Sequence, residues 1–167
     1  MADNTELSYG LKPGMGTYFV VRKDGGALIR SVVKPHMTNN WAFAVYGNRA
    51  LLERGRRAKA GVHHKVDANT PLNLAPRTAL GLSADKKTLV IVAIDGRQKG
   101  YSEGATFAEV ADILLREGCS DAVNMDGGGS TSLVIWDRVT GNPIMLNRHG
   151  GGARRRVALN MGITFDD

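Results

Sequence analysis

Apolar positions along the chain fall mostly into short runs broken by glycine, aspartate and proline, and only one stretch repeats them at helical spacing. Thr17-Tyr-Phe-Val-Val-Arg22 reads as a strand, Lys23 to Gly26 as a turn, and Ala27 to Val33 as the returning strand of a hairpin. Trp41 to Tyr46 is a third strand, which Gly47-Asn48 turns into Ala50 to Glu53. Thr78 to Leu82 is a short strand. Thr88 to Ile94, rich in β-branched residues and almost without polarity, reads as a strand buried on both faces. The helix is Thr106 to Glu117. Phe107, Val110, Ala111, Leu114 and Leu115 line one face, Thr106 and Glu109 form a capping box, and Gly118 supplies the stop. A strand then runs to Asp126, a further apolar run covers Leu133 to Trp136, and Arg156 to Phe165 reads as a last strand.

This order predicts an α+β fold: a single domain with a mixed sheet and one main helix, about 106–117, packed on it. The domain spans 17–167 and follows a flexible segment, 1–16. A right-handed crossover would set the strands ending at Asp95 and Asp126 parallel. Both acids would then share the sheet edge where α/β sites form.

Composition narrows the function classes. The chain has 167 residues, 43% hydrophobic and 23% charged, as a soluble globular domain does. No apolar run approaches the roughly 20 residues of a membrane span, so no membrane partner is expected. Met1 to Glu6 is polar, without the basic and apolar regions of a signal peptide. The expectation is a cytoplasmic protein, which includes a phage-encoded protein in its host. Cys119 is the only cysteine and reads as a buried structural thiol. The net charge of +6 is concentrated in Arg54, Arg56, Arg57, Lys59 and Lys65 and in Arg148, Arg154, Arg155 and Arg156. Such clusters suit an anionic partner, although a solvated face explains the first cluster better. Residues 54–76 read as a surface excursion. Its adjacent His63 and His64 point to opposite sides of an extended chain and make a poor metal pair.

The candidate chemistry sits at strand ends. Asp126-Gly-Gly-Gly-Ser-Thr-Ser132 follows one apolar run and precedes another. Glycines there let a ligand lie against the main chain, and successive N–H groups can form a nest for anionic oxygens. The plain alternative is a hairpin tip. Pro76-Arg77-Thr78 and Asp95-Gly96-Arg97 converge on the same edge, and Asn147-Arg148 is a fourth segment. Arginine forks bind phosphate oxygens bidentately. The carboxylates would do proton chemistry or stabilise a cationic sugar transition state; the alternative is structural Asp–Arg pairing. Glu103 reads as a solvated loop residue.

Arg77-Thr-Ala-Leu-Gly81, Asp95-Gly-Arg97, the helix from Gly104 to Leu115, and Asn124-Met-Asp-Gly-Gly-Gly-Ser-Thr131 together resemble the phosphodiester glycosidase domain. The likeness is strong over 76–136, and Asn147-Arg148 and Arg156-Val157-Ala158 resemble the family's closing segment. Its Asn-Gly-Gly-Phe-Phe type motif has its nearest counterpart in Met15-Gly16-Thr17-Tyr18-Phe19, with methionine where asparagine is expected. The resemblance implies hydrolysis of a sugar–O–phosphate bond in a small-molecule or glycan phosphodiester. Arg77, Thr78, Gly96, Arg97, Gly127, Gly128, Gly129, Ser130, Thr131, Asn147 and Arg148 would bind substrate and phosphate. Asp126 or Asp95 would activate water or act as nucleophile. No cofactor and no metal ligand set is implied, with room left for a divalent cation beside the phosphate. A homo-oligomer is compatible with the altered N-terminal motif, whose wall another chain could supply. Two other readings stand beside this one: an inactive module that sequesters a phosphorylated sugar or nucleotide-like ligand, and, less well supported, a basic nucleic-acid binder.

Overall fold

The computed structural model describes residues 16–31, 39–59, 74–149, 155–157 and 160–164. The segment 1–15, Val32 and Val33, His63 and His64, and Gly150 to Arg154 lie outside the described residues.

Three layers form the body. A three-stranded sheet holds β1 (Thr17–Arg22), β2 (Ala27–Arg30) and β3 (Trp41–Gly47) in the order β2-β1-β3. A five-stranded sheet holds β4 (Arg49–Glu53), β5 (Arg56–Arg57), β6 (Arg77–Ser83), β7 (Leu89–Ile94) and β8 (Cys119–Asn124) in the order β5-β4-β8-β6-β7. Helix α1 (Phe107–Arg116) covers one face of it, and the three-stranded sheet covers the other.

The alternation of β6 explains the layering, because successive side chains of a strand point to opposite faces. Leu80 and Leu82 pack with Phe19, Val45 and Val123 between the sheets. Ala79 packs under the helix with Val110, Ala111 and Leu114. At Gly81 a Cβ would stand 2.5 Å from Cys119 Sγ and 2.9 Å from a methyl of Leu114, so only glycine lets the helix sit this close. Cys119 is buried, as expected. The capping box is present: Thr106 Oγ1 accepts from Glu109 N, and Glu109 Oε2 accepts from Thr106 N.

The α+β class stands, with the helix on the sheet. The arrangement of strands differs from expectation in three places. Every described strand pair is antiparallel. Strands β7 and β8 do run in the same sense, but β6 lies between them, so the mixed sheet expected from a crossover does not form. That places β7 at the sheet edge, with Ile91 exposed rather than buried on both faces. The apolar run after the glycines becomes β9 (Val134–Asp137), which among the described residues pairs only with β10 (Asn142–Met145), in a separate hairpin. In the tail, the described residues 155–157 and 160–164 lie in no strand, although Met161 packs against the core between the sheets. Strand exchange with neighbours decides all three outcomes, and a run's own hydrophobicity does not report it.

Candidate active site

One end of the five-stranded sheet collects the chemistry. Strands β4 and β6 begin there, and β7 and β8 end there, because β8 is antiparallel to both β4 and β6, and β6 to β7. The register sets Arg49 and Ala79 opposite Asn124, and Arg77 opposite Ile94. Asp95 and Asp126 therefore do leave the same edge.

The segment Ala75–Arg77 is the wall on which the site is built. Ala75 bridges to Ala105. The Pro76 carbonyl accepts from Gly128 N at 2.9 Å, and Thr78 O from Met125 N at 2.8 Å. Gly96 and Gly127 are close-approach residues: a Cβ would meet Pro76 N at 2.6 Å from the first and Pro76 O at 2.8 Å from the second. Both loops thus press their backbones on the same proline, which a side chain at either position would prevent.

Three arginines converge beside this wall. Arg77 is 9% exposed and its Nε donates to Ala105 O at 2.9 Å. Its guanidinium lies 3.9 Å from the centroid of the Phe107 ring, and that of Arg49 lies 4.5 Å from the same centroid. Arg97 holds a left-handed backbone, φ 57°, a strained conformation for a residue other than glycine. Its N–H donates to Glu103 O, and its guanidinium comes against Gly128, where a Cβ would be 3.3 Å from Nη1. Burial, then the charges of Arg49 and Arg97, lower the pKa of Arg77 from its usual value. Burial also lowers that of Arg49.

The carboxylates differ. Asp95 Oδ1 accepts from Asn147 Nδ2 at 3.0 Å, and Oδ2 from Arg148 N at 2.8 Å and Tyr101 OH at 3.0 Å. Partial burial pushes its pKa up, but these donors and the Arg148 charge outweigh it and leave Asp95 below the usual carboxylate value. The bond to Asp95 raises the Tyr101 phenol in return. Asp126 is exposed, and its Oδ1 accepts from the adjacent Gly127 N at 2.9 Å.

The glycine loop closes into a short 3-10 turn over Gly128–Ser130. Of the three amides expected to form a nest, Gly127 N is taken by Asp126 and Gly128 N by Pro76 O. Thr131 is buried, and its hydroxyl accepts from Thr78 Oγ1 at 3.3 Å. The Ser130 hydroxyl is buried with no partner among the described residues. Asn147 ties the far side: its Oδ1 accepts from Leu133 N, and its Nδ2 also donates to Thr131 O. His149 Nε2 lies 2.9 Å from Gly129 O, so this nitrogen carries the proton. Arg148 stacks on Tyr101 at 4.7 Å.

All the expected site residues belong to these segments, and Glu103 is an exposed loop residue. Arg49, Phe107, Tyr101 and His149 were not anticipated. Arg49 carried no readable local signal, because its place is set by pairing opposite Asn124. Among the described residues no group of acids, histidines and cysteine is placed to hold a metal, and no helix is long and apolar enough to cross a membrane. A separate cavity of about 400 Å³ opens at the other end of the molecule, lined by Phe19, Val21, Leu82, Leu89 and Met161 among others, with Lys86 and Lys87. It shares no residue with the sheet-edge site.

The sequence profile of the phosphodiester glycosidase family matches residues 2–164. The SPbeta prophage-derived uncharacterized protein YomE of Bacillus subtilis (strain 168) is 34% identical over 129 residues, covering 77% of this chain and 18% of that protein. The N-acetylglucosamine-1-phosphodiester alpha-N-acetylglucosaminidase of Bos taurus is 36% identical over 62 residues, covering 37% of this chain and 11% of that enzyme. The chain thus spans less than a fifth of either relative. Among solved structures, the catalytic domain of the zebrafish N-acetylglucosamine-1-phosphodiester alpha-N-acetylglucosaminidase, auto-inhibited by its pro-peptide, superposes with a TM-score of 0.57 at 22% identity, over 71% of this chain and 41% of that one. A hypothetical protein from Synechocystis gives 0.50 at 18% identity, over 81% and 34%. These two show a shared fold.

Proposed function

The chain belongs to the phosphodiester glycosidase family, and from that premise we propose that it hydrolyses a sugar-1-phosphodiester, releasing the sugar and leaving a phosphomonoester on the other partner. The observation that carries this reading is the convergence of Arg49, Arg77 and Arg97 at the sheet edge that Asp126 also leaves. The charges of Arg49 and Arg97 help lower the pKa of Arg77, and an anion held between the guanidinium groups would relieve that repulsion. Guanidinium forks match the planar, bidentate demand of phosphate oxygens.

The leaving phosphate is a weak base and needs little proton donation. It needs charge stabilisation, which we assign to Arg77 and Arg97 with Arg49 behind them and the Gly129 amide beside them. Asp126 takes the carboxylate role, as base toward water or as nucleophile. Thr78, Thr131 and Ser130 shape the floor below the glycine loop, and Gly96 keeps Arg97 close to it. Asp95 is a positioning residue, because both its oxygens are already engaged in holding Asn147 and Arg148.

The test is incubation with the methyl phosphodiester of N-acetylglucosamine 1-phosphate, the sugar named for two of the similar proteins. Release of reducing sugar and methyl phosphate in equal amounts supports the reading. Saturable binding without release supports the sequestering alternative. Neither binding nor release of this and other hexose 1-phosphodiesters would overturn both.

A further inference from the structure

The hairpin β9–β10 is the most apolar exposed feature of the described chain. Trp136 is 64% and Val139 94% exposed, and Val134, Ile135, Ile144 and Leu146 are about half exposed. A two-stranded hairpin is marginal by itself in water, and its exposed apolar side chains lie on both faces, Val134 and Trp136 on one and Ile135 and Ile144 on the other.

Its backbone says which edge is open among the described residues. Leu146 N donates to Leu133 O at 2.8 Å. Hydrogen-bonded and non-bonded pairs alternate along an antiparallel ladder. With the register Val134↔Met145, Ile135↔Ile144, Trp136↔Pro143 and Asn142↔Asp137, Ile135 and Asp137 bond to β10, while the amides of Val134 and Trp136 point away from it. On β10 the outward residues are Pro143 and Met145, and Pro143 has no N–H to give. Proline is a device for blocking an edge, and β9 has no such device: Val-Ile-Trp-Asp carries neither lysine nor proline.

We propose that β9 pairs antiparallel with β9 of a second copy of this chain, about a two-fold axis through Ile135. The parity fits. Val134 and Trp136, whose amides face outward, meet Trp136 and Val134 of the second copy in two hydrogen-bonded pairs. Ile135 meets its own counterpart in a non-bonded pair on the axis. Each Trp136 then lies beside a valine across the seam, a favourable aromatic–β-branched pair. The result is a four-stranded sheet, β10-β9-β9-β10, whose outer edges carry Pro143, so pairing closes at the dimer instead of propagating. The arms join the body at Thr131–Leu133 and Leu146–Asn147, on the rim of the sheet-edge site, so the second copy also walls that rim.

Light scattering on the eluting 167-residue chain should give twice the monomer mass, falling to the monomer on dilution. Trp136→Pro removes an outward N–H that β10 does not use and should leave a folded monomer with unchanged circular dichroism. Ile135→Cys should form a disulfide-linked dimer on mild oxidation, because a non-bonded pair sets Cα atoms about 4.5 Å apart, within disulfide reach. Val139→Cys at the hairpin tip should not cross-link. A monomer at every concentration would overturn the proposal, as would a dimer that survives Trp136→Pro. A dimer that Ile135→Cys fails to cross-link would overturn this register. Sedimentation of a monomeric parent chain with anionic phosphatidylserine vesicles would make the hairpin a lipid contact instead. None of these outcomes depends on whether the sheet-edge site hydrolyses a phosphodiester.

Discussion

Strands β7 and β8 leave the same sheet edge, each delivering an aspartate, and the two carboxylates are placed oppositely. Asp95 has three donors from Tyr101, Asn147 and Arg148; Asp126 is exposed, and its Oδ1 accepts from its own loop amide at Gly127. A carboxylate with three of its roughly four acceptor positions taken by protein donors is set to hold structure, with little left to turn on water. An exposed one beside a cationic wall can reach a substrate. The surrounding segments match this division. Around Asp95 the chain is cross-tied, from Ser102 Oγ to the Asp95 carbonyl and from Gln98 to Arg148 O. Around Asp126 the glycine loop is held through its backbone, Gly128 N on Pro76 O and Gly129 O on His149 Nε2, and these ties leave the Asp126 carboxylate itself at the surface.

The largest expected effect lies at Asp126. Asp126→Asn keeps size and shape and removes the charge. Turnover of the sugar phosphodiester should fall by about 100-fold or more, the scale of a positioned acid–base group, with melting temperature and ligand affinity near the parent's. If the Asp95→Asn protein shows that loss while Asp126→Asn stays fully active, the two roles are exchanged.

Next come the arginines on the Phe107 ring. Arg77→Lys keeps the charge but loses the fork and the stacked plane. Affinity for a sugar 1-phosphate should drop by about 10-fold or more, in line with one charge-assisted hydrogen bond of roughly 1.5–3 kcal/mol. Titration calorimetry checks it, and parental affinity in Arg77→Lys would remove Arg77 from the phosphate site. Arg49→Ala should weaken binding less, because only Arg77 also bonds to the backbone at Ala105.

Asp95→Asn should act on stability first. It replaces a charged acceptor of three donors with an amide that can satisfy fewer of them. A cost of about 1–2 kcal/mol follows from the value of charged hydrogen bonds, or a few degrees in melting temperature. The catalytic constant should change less than the Michaelis constant, because Asn147 and Arg148 shift while Asp126 stays.

These two ends also differ in how legible they were. Helix α1 was readable because its cap, apolar face and stop are all local. The edges of β6, β7 and β8 were readable because an apolar run ended in a charged residue each time. Arg49 was not, because its place depends on pairing with a strand some seventy positions later, Arg49↔Asn124. The edge position of β7 was missed for the same reason: its composition suits a central strand, and the sheet order is set by which partners compete for it. The amide nest was legible only in part, since glycine content reports freedom of the backbone but not that Pro76 O and Asp126 would take two of its donors. The separate course of Val134–Asp137 has no local signal apart from Pro143, which cannot donate within a sheet.

The smallest expected effect is also the most direct reading of Asp95. Its donors hold its folded pKa below the ordinary 3.8, so between those values the unfolded chain binds more protons than the folded one. Stability therefore rises with pH through that window. The contribution is fully present above the ordinary value and is lost as pH falls through the lowered one. Asp85, Glu109, Asp121 and Asp137 are lowered as well, so the acid limb of the parent alone does not isolate Asp95. The difference between the melting curves of the parent and Asp95→Asn does. That gap should stay constant from neutral pH down to about pH 5 and narrow below 3.8 as the parent's Asp95 is protonated. Tyr101→Phe removes one of the three donors, so the folded pKa of Asp95 should move back toward the ordinary value and the gap should be smaller and finish closing at a higher pH. A gap that keeps its full size down to pH 2 would mean that the charge of Asp95 does not hold the Asn147–Arg148 segment, and the contrast with Asp126 would then rest on exposure alone.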